Sequence, residues 1–185
     1  KNPLFLEGVQ KAYQYERQLF SNVKGNWPVV SSTSLSRPKT SFRNAWCHGA
    51  PGVGISRALA LDAVNDEKTR GEIFVAMKTT LNAVEAPADH LCCGNMSRVE
   101  ALLTIGRFFK NENCCMRSKE LAVSIAKRAI KRHHFELPAS RFNYEIYLPG
   151  FFEGLSGIGY QLLRVAKPEC FPSIFESVQR SKERC

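Results

Sequence analysis

Three short glycine motifs, each opening an apolar run, constrain the fold more than anything else in this chain. The first is Cys47-His48-Gly49-Ala50-Pro51-Gly52-Val53-Gly54. The second is Cys92-Cys93-Gly94-Asn95-Met96-Ser97, with Ser97 where a second glycine would fall. The third is Phe152-Glu153-Gly154-Leu155-Ser156-Gly157-Ile158-Gly159. Gly49, Gly94 and Gly154 stand 45 and 60 residues apart, enough each time for about one helical hairpin. Glycine lets the backbone turn tightly and approach a neighbour as a loop becomes a helix. A helix start also presents free N–H groups and the positive end of the helix dipole, which favour thiolate over thiol. If the hairpins stack, the three motif ends gather at one face. Residues far apart in sequence then share one site.

The stretches between the motifs read as helices and loops. Leu4, Val9, Tyr13 and Leu19 give residues 4–20 helical spacing. Residues 21–41 shift to Ser, Thr, Pro and Lys around Trp27-Pro28-Val29-Val30, which reads as a loop with a short strand, long enough to cover a functional face. Further helices are expected over 53–64, from an Asp66 cap through Ile73, Phe74, Met77 and Leu81, over 97–109, over 120–132 and over 152–166. Pro138, Pro149 and the β-prone run 142–147 mark an extended loop.

Composition excludes several classes. The 185 residues, 44% hydrophobic and 23% charged, are those of a globular chain able to bury a core. No apolar run approaches the roughly 18 residues that a membrane helix needs. The start, Lys1-Asn2-Pro3-Leu4-Phe5-Leu6-Glu7, has no secretory pattern and no initiator Met. The formal charge of +9 favours an anionic partner, yet the basic residues are scattered rather than massed in one tract. A basic surface without a nucleic-acid partner is expected. Seven cysteines cannot close into a complete set of intrachain disulfides. Without a secretory signal, a cytoplasmic location and metal or thiol chemistry are expected over a disulfide framework.

Cys47, Cys92 and Cys93 would offer a zinc ion three thiolates and leave one tetrahedral position open, the arrangement of catalytic rather than structural zinc. No CxxC spacing is present. His90, two residues before Cys92, stands as an alternative ligand to Cys93. Cys114-Cys115 has no following glycine and lies in a polar segment, so it reads as an internal control without function. Glu153 is a candidate to orient substrate, with a cap or a water-facing carboxylate as the alternative; Asn95 is read as a support of its turn, and His133-His134 as a helix C-terminus.

Trp46-Cys47-His48-Gly49-Ala50-Pro51-Gly52, Cys92-Cys93-Gly94 and residues 149–160, Pro-Gly-Phe-Phe-Glu-Gly-Leu-Ser-Gly-Ile-Gly-Tyr, resemble the LanC-like cyclase superfamily in order and context. Leu162-Leu163-Arg164 followed by Pro168 and Pro172-Ser173-Ile174 is similar to the C-terminus of class II lanthipeptide synthetases, the bifunctional LanM enzymes. The resemblance implies an all-α fold, the C-terminal part of a double-layered α/α toroid built of helical hairpins with Gly-rich helix starts. Residues 1–185 would be the C-terminal portion of the cyclase domain, with motifs at 46–54, 92–97 and 149–160. The upstream repeats and the dehydratase domain, which uses ATP and Mg2+, would lie outside the chain.

The implied activity is zinc-dependent addition of peptide cysteine thiolates to dehydroalanine or dehydrobutyrine in a ribosomal precursor peptide, forming lanthionine and methyllanthionine rings. Carried over residue by residue, Cys47, Cys92 and Cys93 are the ligands of one Zn2+. Arg43 and His48 are the active-site residues. The implied partners are the precursor peptide and the protein's own dehydratase domain. Most of the family carries Cys-His-Gly where this chain has Cys92-Cys93-Gly94, which resembles the subgroup with an all-cysteine site. Three thiolates leave zinc formally at −1, and a bound substrate thiolate makes it −2, so less charge is withdrawn from the substrate sulfur. A Cys93→His change in the full enzyme is therefore expected to slow cyclisation of poor substrates. The family's acid/base histidine lies in earlier repeats, and three repeats do not close a toroid, so these residues alone are expected to be inactive. A non-cyclising relative that binds zinc and glutathione is the alternative. A structural zinc would instead require a fourth protein ligand.

Overall fold

The computed structural model describes residues 2–30, 41–138 and 148–176. Among these the chain is helical, as expected: α1 (Pro3–Leu19), α2 (Ala50–Leu59), α3 (Glu67–Leu81), α4 (Asn95–Phe108), α5 (Glu112–Arg132) and α6 (Leu155–Ala166). The expected short strand is β1 (Pro28–Val29), which pairs antiparallel with β2 (Ser41–Phe42) in the register Pro28↔Phe42 and Val29↔Ser41. Residues 31–40 between them, and the β-prone run 142–147, lie outside the described residues.

α4 is the centre. It packs against α2, α3, α5 and α6, and its first twelve residues, Asn95 to Gly106, are all buried. Neighbours on every side leave this stretch no solvent face. Its polar residues therefore need partners, because an unpaired buried charge costs several kcal/mol. Glu100 takes Arg164 Nη1 at 2.9 Å, Ser173 Oγ at 2.5 Å and Thr104 Oγ1 at 2.9 Å. This network ties α6 and the Pro172-Ser173-Ile174 segment to the central helix. Arg98 donates to the carbonyls of Val84 at 3.2 Å and Ala83 at 2.6 Å, holding the chain where it leaves α3.

A second buried cation secures α1. Arg57 of α2 pairs with Glu72 of α3 at 3.0 Å and with Glu16 of α1 at 2.6 Å. Its guanidinium lies 3.6 Å from the centroid of the Tyr13 ring, a cation–π contact that adds to the ion pairs.

Several helix boundaries differ from the sequence expectation, each for a local reason. α2 starts at Ala50 rather than Val53, because Pro51 sits in the first turn, where its missing N–H has no partner to lose. α4 and α6 start directly after Gly94 and Gly154. Asp66 caps α3 as expected, accepting from Thr69 N at 2.6 Å. Phe74 belongs to the apolar pattern of α3 but is 61% exposed. α5 begins eight residues before the expected Glu120, capped by Asn111, whose side chain accepts from Cys114 N at 3.0 Å. Cys114-Cys115 therefore lies in the first turn of a helix rather than in a polar segment.

Candidate metal centre

The motif glycines Gly49, Gly94 and Gly154 are the N-cap residues of α2, α4 and α6. Gly49 has φ of 93°, a conformation open to glycine and costly for other residues. The other two are glycine because their loops fold back over them. A Cβ on Gly94 would lie 2.5 Å from the backbone of His90, and one on Gly154 would lie 2.6 Å from the Gly150 carbonyl. The second glycines obey a stricter rule: a Cβ on Gly52 would strike the Trp46 carbonyl, and one on Gly157 the Phe151 carbonyl.

Ser97 breaks that glycine pattern and gains a function by doing so. Its Oγ accepts the Trp46 N–H at 3.2 Å, tying the second motif to the first. The Cys92 N–H in turn donates to the Phe152 carbonyl at 2.7 Å, tying the second motif to the third. The Trp46 and Phe152 rings pack with centroids 5.5 Å apart. The three motif ends thus meet at one face.

At that face Cys47, Cys92 and Cys93 come together. Cys92 Sγ is 3.8 Å from Cys47 Sγ and 3.7 Å from Cys93 Sγ, and all three sulfurs lie within 4.8 Å of one another. Sulfurs held ~2.3 Å from a tetrahedral ion stand about 3.8 Å apart. The donor set and its spacing therefore suit a soft or borderline cation. No fourth His, Cys, Asp or Glu atom joins the group among the described residues. Burial pushes the Cys47 thiol up, with the Cys93 charge acting in the same direction. Burial likewise raises Cys92, reinforced by its two sulfur neighbours. Both shifts favour the neutral thiol at Cys47 and Cys92. A dication reverses that preference.

The remaining candidates fall into place around the cluster. His48 Nδ1 is 3.2 Å from Cys47 Sγ. A metal-bound thiolate can only accept, so Nδ1 would carry the proton and donate it to the sulfur. Arg43 follows β2 with an exposed side chain, and its carbonyl accepts from Asn26 Nδ2 at 3.1 Å at the base of the first motif. His90 is outside the sulfur group. Its Nδ1 faces the Phe152 carbonyl at 3.3 Å, and burial lowers its pKa, so the ring stays neutral. Glu153 is exposed. Cys114 and Cys115 are absent from the cluster and pack against Gly106, where a Cβ would lie 2.8 Å from Cys115 Sγ.

Two supports have no obvious mark in the sequence. Asp89, only 1% exposed, accepts from Arg128 Nη2 at 2.5 Å, Asn95 Nδ2 at 3.0 Å and Glu136 N at 3.0 Å. It fixes the segment three residues before Cys92. Asn95 completes the turn by accepting from Ala86 N at 2.7 Å and donating to Ala86 O at 3.0 Å. Asn26 plays the matching part for the first motif: its Oδ1 accepts from Ala50 N at 2.7 Å, satisfying a free N–H at the start of α2. A single Asp ahead of a motif, or an Asn 24 residues away, carries no periodic signal to detect.

A helical protein whose glycine-capped helix starts gather three thiols is the class that fold and site define. The chain belongs to the lanthionine synthetase C-like family, whose sequence model matches residues 1–176. No curated protein matches it. Among the described residues no helix is long and apolar enough to cross a membrane.

Proposed function

We propose that the protein serves lanthionine and methyllanthionine ring formation, as a cyclase domain of the LanM type with an all-cysteine zinc site. The observation that carries this reading is the meeting of Cys47, Cys92 and Cys93 from two family motifs, with sulfurs 3.7 and 3.8 Å apart and no fourth described ligand. An open fourth position marks a site meant for an exchangeable ligand. Zinc bound there would lower the pKa of a substrate cysteine so that its thiolate exists near neutral pH.

The chain's own residues then have separate tasks. The three thiolates would hold the ion. His48, with Nδ1 3.2 Å from Cys47 Sγ, would donate to the metal-bound sulfur and so fix the orientation of that ligand, as outer hydrogen-bond partners do at metal sites. When a substrate thiolate adds to the β-carbon of a dehydrated residue, the double-bond electrons move toward the neighbouring carbonyl, and the α-carbon then takes a proton. Arg43, exposed at the edge of the first motif, supplies positive charge for the oxygen on which that electron density collects. The proton donor belongs to repeats outside these residues, in the full α/α toroid. The expected partners are a dehydrated precursor peptide and the protein's own dehydratase domain.

The test is ring formation on a dehydrated, cysteine-containing peptide, followed by loss of free thiol and by fragmentation mass spectrometry. With upstream repeats joined to the chain, rings are expected, and Cys92→Ser abolishes them. Ring formation that survives Cys92→Ser, or that proceeds without metal, contradicts the proposal.

A further inference from the structure

Beside the sulfur cluster lies a cavity of about 400 Å³ that has Cys47 and His48 in its wall and reaches neither Cys92 nor Cys93. Its other walls come from α1, α2 and the β1 segment, with Tyr15 and Leu19 of α1, Val53 of α2 and Val30 just after β1 as apolar contributors. Trp46 also lines a second, largely apolar cavity of about 450 Å³ that runs on to Ile55, Leu59 and Phe175. The two share Trp46, Gly52 and Ser56, so together they form a track that leads away from the ligand Cys47.

The geometry points to this track as the specificity pocket for an apolar side chain next to the reacting cysteine of a peptide. The inference rests on the proposed thiol-binding role of the cluster. It adds what the peptide must carry. Two features select that occupant. The charged residues lining the first cavity are Glu16 and Arg57, and they pair with each other at 2.6 Å. Arg57 is bound a second time by Glu72 at 3.0 Å. The described wall therefore offers no spare cation to a carboxylate, and Glu16 repels one. Second, a thiol at the cluster that carried only a small polar body would leave both cavities unfilled. A peptide with a leucine- or phenylalanine-sized neighbour buries that surface as it binds, and discrimination of this kind scales with the apolar area covered.

The experiment uses the protein loaded with Co2+, whose thiolate absorption reports ligands entering the open position. Three probes are titrated: N-acetylcysteine amide, a hexapeptide with its cysteine flanked by leucines, and the same peptide with aspartates as flanks. The small thiol is expected to bind, and the leucine peptide to bind roughly 10-fold or more tighter than the aspartate peptide. Tyr15→Asn combined with Val30→Asn changes two side chains 54% and 60% exposed, so the fold tolerates it, and it removes apolar wall without adding a charge that would repel the aspartate peptide. This variant is expected to bring the ratio close to one. Ile130→Asp, 76% exposed and outside both cavities, should keep the ratio. Equal binding of the two peptides, or a preference that survives the double variant, overturns the pocket while leaving the thiol site standing. Failure of the small thiol to bind the loaded protein overturns the reading of the cluster, and this inference with it.

Discussion

The chain carries two pairs of adjacent cysteines, and their surroundings give them opposite characters. Cys92-Cys93 precedes a capping glycine, in a loop whose backbone is pinned from both sides: Asp89 behind it, and the Phe152 carbonyl against its N–H at 2.7 Å. The loop leaves its sulfurs free to converge on Cys47. Cys114-Cys115 lies inside the first turn of α5, where the helix itself satisfies the backbone and the side chains pack against Gly106 of α4. Cys114 is fully buried and acts as a small apolar residue. A cysteine pair is chemically equipped by what caps and holds its loop, and adjacency alone supplies nothing.

Substitutions in the two pairs should differ most in their effect on metal binding. Cys47→Ser or Cys92→Ser should weaken metal binding by more than the roughly 100-fold that loss of an outer hydrogen-bond partner can cost. Cys115→Ser should leave affinity unchanged by competition against a chelating dye. Comparable losses from both pairs would remove the distinction. Next in size is the support behind the reactive pair. Asp89→Ala leaves Arg128, which is also paired with Glu85 at 2.8 Å, short of its buried partner. Unfolding in urea should show a loss of about 3 kcal/mol, with metal affinity down roughly 10-fold to 100-fold. Unchanged metal affinity in a folded variant would mean that the loop holds its shape without the clamp.

The packing pair gives the reverse pattern. Gly106→Ala places a Cβ 2.8 Å from Cys115 Sγ and 3.0 Å from Cys114 Cβ. Overpacking of this kind costs about 1–3 kcal/mol, offset by about 1 kcal/mol of helix propensity. Stability should fall modestly while metal affinity stays the same. The smallest effect is alkaline. Burial pushes the Cys114 thiol up to about 11, above its value in the unfolded chain, so the neutral thiol favours the folded state. That contribution is full below about pH 9 and is lost as the pH rises through about 11. Cys114→Ala should flatten the fall in stability over this window, measured by thermal melts in matched ionic strength. A fall of unchanged steepness would place the alkaline sensitivity elsewhere.

Much of this was legible in the residues. The glycine motifs named the helix starts because only glycine fits beneath a loop that folds back on its own cap, as at Gly94 and Gly154. The thiol set followed from those motifs and from the family resemblance. What the sequence hid was the second layer. Helix α5 extends eight residues further toward the N-terminus because Asn111 caps it, and a polar first turn resembles a loop when read by hydrophobic periodicity. Asp89, Asn26 and Ser97 act across distances that no local pattern encodes. Ser97 looked like an imperfect glycine. It is the residue that joins the first two motifs.

The most direct test of the thiol cluster is X-ray absorption at the zinc edge on protein loaded with one equivalent of Zn2+. One tightly bound ion per chain is expected, with three sulfurs at about 2.3 Å and one lighter, exchangeable neighbour. A fourth sulfur is expected on addition of a peptide thiol. Four protein donors without added thiol, or fewer than three sulfurs, would contradict this coordination.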